Sequence, residues 1–163
     1  MMASILRSIP NVFTLGNLVC GIFSITFAMN GFFKVSALLI FLAALCDVFD
    51  GKLARMLKVD SPMGVELDSL ADIVSFGVAP SILVHSMHAH SALLTLAFVA
   101  FPIAGAWRLG RFNVSPTKGY YKGVPITLAG LITAALAFFS FSSPILLIIL
   151  AVLMVSPIRI PKL

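Results

Sequence analysis

Read along the chain, apolar residues come in long blocks separated by short polar breaks, with no sustained alternation of the kind a half-buried strand shows. A membrane-spanning helix needs about 20 mostly apolar residues. The blocks predict six helices, over residues 11–29, 35–57, 62–87, 91–112, 124–141 and 144–157. Asn30-Gly31 stops the first, and Pro62 suits the opening turn of the third. The sixth is short and is expected to tilt little or to thin the bilayer. Short connections make neighbouring helices antiparallel. Residues 1–10, with one charge at Arg7 and no cleavage pattern, read as an interfacial lead-in to the first span.

Composition makes lipid the solvent. Of 163 residues, 60% are hydrophobic and 10% charged, against about a quarter charged in an ordinary soluble domain. The expected fold is an all-α membrane protein, a bundle of six transmembrane helices forming a single domain over residues 1–163. Cys20 and Cys46 both lie in apolar blocks and are expected to pack as thiols, not to form a disulfide.

Charge sets the orientation. With the N-terminus in the cytoplasm, the inner side receives Arg7, Lys52, Arg55, Lys58, Arg108, Arg111, Lys118, Lys122, Arg159 and Lys162, and the outer side only Lys34. That asymmetry predicts a cytoplasmic-membrane protein with both termini inside. The basic surface is read as topology and anionic head groups, with no nucleic-acid partner. Trp107 and Tyr120-Tyr121 fit aromatic anchoring at the inner interface. His85, His88 and His90 gather at the outer end without an acid or cysteine, so they read as interfacial residues, not a zinc site.

All six acidic residues lie between Asp47 and Asp72. Asp60 falls in the inner loop, and Glu66 points away from the others. Asp47 and Asp50, three apart, share one face of the second helix; Asp68 and Asp72, four apart, share one face of the third. Gly51, Ala54 and Gly64 extend those stripes with minimal side chains. At 1.5 Å per residue, both acidic pairs sit roughly 7–12 Å inside the cytoplasmic ends of their helices. Antiparallel neighbours then bring the four carboxylates to one level. Unpaired in lipid they would cost on the order of 10–14 kcal/mol. A hard divalent cation offsets that cost, and all-oxygen ligands suit Mg²⁺ or Mn²⁺, with Ca²⁺ as another occupant. Two such ions are the usual apparatus of phosphoryl chemistry. The rival readings are protonated aspartates tying helices together, and an ion-coupled transporter's pathway.

The run Asp47-x-x-Asp50-Gly51-x-x-Ala54-Arg55, then eight residues, then Gly64-x-x-x-Asp68-x-x-x-Asp72, resembles the signature of the CDP-alcohol phosphotransferase family at every fixed position. Within that family the chain is most similar to the membrane-embedded phosphatidylserine synthases. The likeness continues through Pro10-Asn11-x-x-Thr14-x-x-Asn17-x-x-x-Gly21, Ser75-Phe76-Gly77-x-x-Pro80, Arg108-Leu-Gly-Arg111-Phe-Asn113 and Gly123-x-Pro125. It departs at Thr127, where a second proline is expected.

The resemblance implies transfer of a phosphatidyl group from CDP-diacylglycerol to the hydroxyl of L-serine, with release of CMP, by a homodimer. It implies that Asp47, Asp50, Asp68 and Asp72 hold two divalent ions and that Asp72 accepts the acceptor's proton. It also implies that Gly51, Ala54 and Gly64 make room for the cytidine and diphosphate. Arg55, Asn11, Thr14 and Asn17 are further expected around the nucleotide, with interhelical hydrogen bonding the alternative for the last three. Arg108, Arg111 and Asn113 are candidates for the acceptor's carboxylate or a phosphate; the alternative for both arginines is anchoring at the inner face. Glycerol 3-phosphate or an inositol phosphate as acceptor would use the same metal site.

Overall fold

A computed structural model describes residues 2–58, 61–116 and 119–161, with the side chains of residues 2–8 and 161 outside the description. Asp60, Lys118 and Lys162 therefore lie outside the described residues, as does the side chain of Arg7. The chain forms α1 (Met2–Met29), α2 (Phe33–Leu57), α3 (Pro62–Asp72), a π-helical turn (Ile73–Val78), α4 (Ala79–Met87), α5 (Ala92–Val114), β1 (Tyr120–Lys122), α6 (Ile126–Phe138), α7 (Pro144–Val155) and β2 (Arg159–Pro161).

The burial pattern is that of a protein dissolved in lipid. Thr14, Asn17, Ser24, Ser36, Asp50, Asp72 and Arg108 are buried, while Val12, Phe23, Leu70, Ile103 and Trp107 are exposed. In water that distribution would be inside out. In a bilayer, polar groups must find partners within the bundle and large apolar side chains face the acyl chains. The interior is built from small residues, among them Ala37, Ala43, Ala79, Ala97, Ala129 and Ala134, around the buried rings of Phe76 and Phe101. Small side chains let helix backbones approach closely.

Among the described residues, three helical stretches are long and apolar enough to cross a membrane: Ile9–Met29, Pro62–Met87 and Ala92–Val114. The helix α2 has the length, at 25 residues, but carries Lys34, Asp47, Asp50, Lys52 and Arg55. The helices α6 and α7 are apolar but short.

Four expectations need correcting. The lead-in and the first span are one helix, with Pro10 inside it. Proline removes one backbone donor there, but helices in lipid retain their remaining bonds because no water competes for them. The fourth helix continues two residues further, to Val114, where Ser115 caps it by donating its N–H to the Arg111 carbonyl. The fifth is shorter than the apolar block, starting after Pro125 and ending at Phe138, with Ser140 in the left-handed region at φ 62°. Finally, the polar stretch after α5 is not only loop: β1 pairs antiparallel with β2, Tyr121 opposite Ile160. Three-residue strands are too short to leave a periodic signal.

The third helix begins as its residues dictate. Ser61 caps it, accepting the Gly64 N–H at 3.0 Å, with Pro62 in the first turn. Its midpoint is irregular for an identifiable reason. In an α-helix the Pro80 ring would press on the Phe76 carbonyl. The backbone widens instead, so that the Ala79 N–H reaches the Val74 carbonyl, five residues back. Gly21 and Gly130 press against this turn, a Cβ at Gly21 meeting Ser75 and one at Gly130 lying 2.8 Å from the Phe76 carbonyl oxygen.

Candidate metal centre

The helices α2 and α3 present their acidic stripes to each other. Asp47 and Asp50 come from α2 and Asp68 from α3, and one carboxylate oxygen of each lies within 4.8 Å of the others. Asp50 is buried; Asp47 and Asp68 are half-buried. One turn beyond Asp68, the buried Asp72 accepts a hydrogen bond on Oδ1 from Asn17 Nδ2 at 3.2 Å. Glu66, as expected, faces outward and is exposed.

The helix α1 supplies the support. Thr14 donates its hydroxyl to Asp50 Oδ2 at 2.7 Å. Ser75 Oγ donates to the Asn17 backbone carbonyl at 2.9 Å, locking α1 against the π-helical turn beside Asp72. Sequence reasoning missed Ser75 as part of this support, although it lies three residues after Asp72.

The residues present fit a divalent cation. The donor set is all oxygen, which suits a hard ion. Asp68 Oδ1 and Asn17 Oδ1 are buried without a hydrogen-bond partner. Buried acceptors of this kind are costly unless something binds them.

Beside the triad lies a cavity of about 110 Å³ lined by Pro10, Asn11, Thr14, Asp50, Gly51, Ala54, Ser61, Gly64, Val65 and Asp68. A Cβ added at Gly51 would meet nothing within 4 Å. No neighbouring side chain or backbone therefore requires glycine there, and the space it leaves belongs to the cavity. Arg55 is exposed and not part of this lining.

The other expected site residues are divided. Arg108 is buried, its guanidinium 5.8 Å from the Phe112 ring centroid and 5.6 Å from that of Tyr121, with Nε lacking a partner. Arg111 donates to the Val155 and Lys122 carbonyls, both at 3.2 Å. Asn113 donates to Ser69 Oγ at 2.8 Å. Near the end of α4, the His85 and His90 rings lie 5.1 Å apart between centroids, tilted by 58°, and His88 Nδ1 lies 3.0 Å from the Val84 carbonyl. Cys20 and Cys46 are free thiols, as expected.

Compared with known proteins, residues 7–158 match the family model for CDP-alcohol phosphatidyltransferases. This chain belongs to that family. Membership displaces the transporter reading and makes the protein an enzyme of the CDP-alcohol phosphatidyltransferase type. Together with the aspartate triad it supports the use of a divalent metal.

Similar family members include CDP-diacylglycerol–serine O-phosphatidyltransferase of Bacillus subtilis, 41% identical over 94% of this chain and 89% of that protein. The protein of the same name from Helicobacter pylori strain J99 is 34% identical over 94% of this chain and 71% of its own length. Archaetidylserine synthase of Methanothermobacter thermautotrophicus is 32% identical over 95% and 70%.

Proposed function

We propose that this enzyme transfers the phosphatidyl group of CDP-diacylglycerol to the hydroxyl of L-serine, giving phosphatidylserine and CMP. The observation that carries the reading is the Asp47–Asp50–Asp68 triad opening onto a cavity lined by Gly51, Ala54 and Gly64. Serine as the acceptor draws its support from relatives that share 32–41% identity over nearly the whole chain and are named for serine or a serine lipid.

In this reading Asp47, Asp50, Asp68 and Asp72 hold two divalent cations, Mg²⁺ or Mn²⁺, with Ca²⁺ able to occupy the same oxygen ligands. When bound, such ions neutralise the diphosphate and stabilise CMP as it leaves. The chain's own residues do the rest. Gly51, Ala54 and Gly64 leave the helix surfaces bare so that cytidine and diphosphate can lie against them. Asn11 and Thr14, on the same cavity wall, offer the nucleotide polar contacts, and Arg55 stands at the exposed rim.

Asn17 orients Asp72 through its amide, leaving one carboxylate oxygen of Asp72 to accept the proton of the serine hydroxyl. The serine oxygen, its proton passed to Asp72, then attacks the phosphorus that bears diacylglycerol, the bond to CMP breaks, and configuration at phosphorus inverts. Arg108, near the end of α5, forms the acceptor side, where a guanidinium suits the serine carboxylate, while Arg111 and Asn113 are engaged with the Val155 and Lys122 carbonyls and with Ser69 Oγ.

In this reading α2, α6 and α7 join the three long apolar stretches as six spans of a single domain, and the enzyme works as a homodimer, as the family resemblance implies. The site and both termini then face the cytoplasm, the side that the basic residues favour.

The test is an acceptor assay. Membranes holding the enzyme receive CDP-diacylglycerol, Mn²⁺ or Mg²⁺, and labelled serine, glycerol 3-phosphate or inositol phosphate in turn. Serine incorporation with matching CMP release is the expected result. Incorporation of another acceptor without serine would refute the choice while leaving the transfer chemistry intact.

A further inference from the structure

The two arginines near the end of α5 look interchangeable in sequence, three residues apart. Their surroundings separate them. The Arg111 guanidinium is committed to two backbone carbonyls, Val155 at the end of α7 and Lys122 in β1. It fastens the β-ribbon to the bundle. The Gly123 N–H donates to the Ile158 carbonyl at 2.8 Å and the Val124 N–H to the Leu153 carbonyl at 3.2 Å, completing the seam. Gly123 has φ +76°, and a Cβ there would collide with the Met154 carbonyl oxygen. The ribbon is thus fixed at one register against α7.

Arg108 is different. It is only 6% exposed, yet its Nε has no hydrogen-bond partner. What holds it are two ring faces, Phe112 one turn along α5 and Tyr121 from β1. A guanidinium over rings keeps its edge N–H groups available for a planar anion. A buried, ring-held and under-bonded arginine is the side chain best prepared for a carboxylate.

We infer that Tyr121 is a positioning residue for the acceptor: the β-ribbon, pinned by Arg111, sets the Tyr121 ring over Arg108 and so aims its guanidinium at the acceptor's anionic group. This rests on the reading of Arg108 as part of the acceptor side. It divides the labour of the pair, with Arg111 holding the ribbon and Arg108 holding the ligand. It also gives a function to a structural element that joins the α5–α6 connection to the stretch after α7.

The experiment is steady-state kinetics of the full-length enzyme in mixed micelles, varying serine and CDP-diacylglycerol separately. Tyr121→Ile keeps a strand-favouring side chain and removes the ring. It is expected to raise the KM for serine roughly five-fold or more, with kcat and the KM for CDP-diacylglycerol within about two-fold of wild type. Tyr121→Phe, which keeps the ring face, should restore the serine KM. In an Arg108→Gln background, Tyr121→Ile should add nothing to the raised serine KM, because the group it positions is gone.

An unchanged serine KM in Tyr121→Ile would overturn the inference. So would equal losses in both KM values and kcat that persist in the Arg108→Gln background, since that pattern describes a merely structural ribbon. If Tyr121→Ile does not fold, Tyr121→Thr is judged by the same criteria. If the wild-type enzyme takes glycerol 3-phosphate and not serine, the serine reading fails, and the KM for glycerol 3-phosphate decides the role of Tyr121.

Discussion

Thr14 on α1 and Asp50 on α2 are joined by a 2.7 Å hydrogen bond from the threonine hydroxyl to the carboxylate. The hydroxyl has one proton and two acceptors in reach, the other being the Pro10 carbonyl at 3.2 Å. The shorter, charge-assisted bond is the stronger. It fixes which Asp50 oxygen remains for a cation. Thr14→Val, nearly the same shape without the donor, should therefore raise the Mn²⁺ concentration needed for half-maximal activity by roughly 10–100-fold. Thr14→Ser should stay near wild type. A metal titration of CMP release checks both.

The acidic stripes were legible in the sequence because helical spacing puts Asp47 with Asp50 and Asp68 with Asp72, and because carboxylates in an apolar block demand an explanation. The alignment of α2 against α3 followed from a short connection alone. What could not be read was anything that depends on backbone departures from regular helix. The π-helical turn at Ile73–Val78 arises from Pro80 meeting the tight packing of Gly21 and Gly130, a three-way coincidence across distant segments. The ribbon of Tyr120–Lys122 with Arg159–Pro161 is likewise invisible to periodicity. That is why Arg108 and Arg111 could be nominated together but not told apart.

Metal binding should be visible as stability. Three carboxylates gathered within 4.8 Å repel one another when nothing cationic lies between them. Mn²⁺ added to the detergent-solubilised protein should raise Tm, by about 2.7 kcal/mol of stabilisation at a hundred times its dissociation constant, and chelation should reverse the gain. Asp68→Asn removes one of the like charges. It should unfold at the same temperature as metal-free wild type or higher, and should gain little from Mn²⁺. A thermal-shift series with and without chelator measures both. A wild-type-sized gain in that variant would count against Asp68 as a ligand.

Gly51 and Gly64 line the same cavity, yet alanine should fail at them for different reasons. At Gly51 an added methyl meets no protein atom within 4 Å. Gly51→Ala should fold with unchanged Tm, and helix propensity favours it by up to about 1 kcal/mol. The methyl enters the cavity instead, so the KM for CDP-diacylglycerol should rise several-fold while the serine KM holds. At Gly64 the methyl would sit 3.0 Å from Ser61 Oγ and 3.3 Å from Asn11 Oδ1. It disturbs the cap that starts α3, at a cost of about 1 kcal/mol. Gly64→Ala should therefore lower Tm as well as substrate affinity. Parallel thermal and kinetic measurements separate the two.

Asp72 carries the sharpest chemical prediction, because its neighbours let binding and proton transfer be pulled apart. Asp72→Asn keeps the shape and can still pair with Asn17 through its own amide oxygen, but has no carboxylate to take a proton. Turnover should fall by about 10²–10⁴-fold, the usual worth of a positioned base. Expression and CDP-diacylglycerol binding should change little, since Asp47, Asp50 and Asp68 remain clustered and Asp50 and Asp68 still line the cavity. Asn17→Ala leaves the carboxylate in place but unaimed. It should cost less, and mainly in kcat, because the group survives while its orientation does not. Should Asp72→Asn retain wild-type turnover, the proton goes elsewhere and Asp72 is only a ligand. Should Asn17→Ala lose as much as Asp72→Asn, the amide acts on the substrate directly, not through the carboxylate.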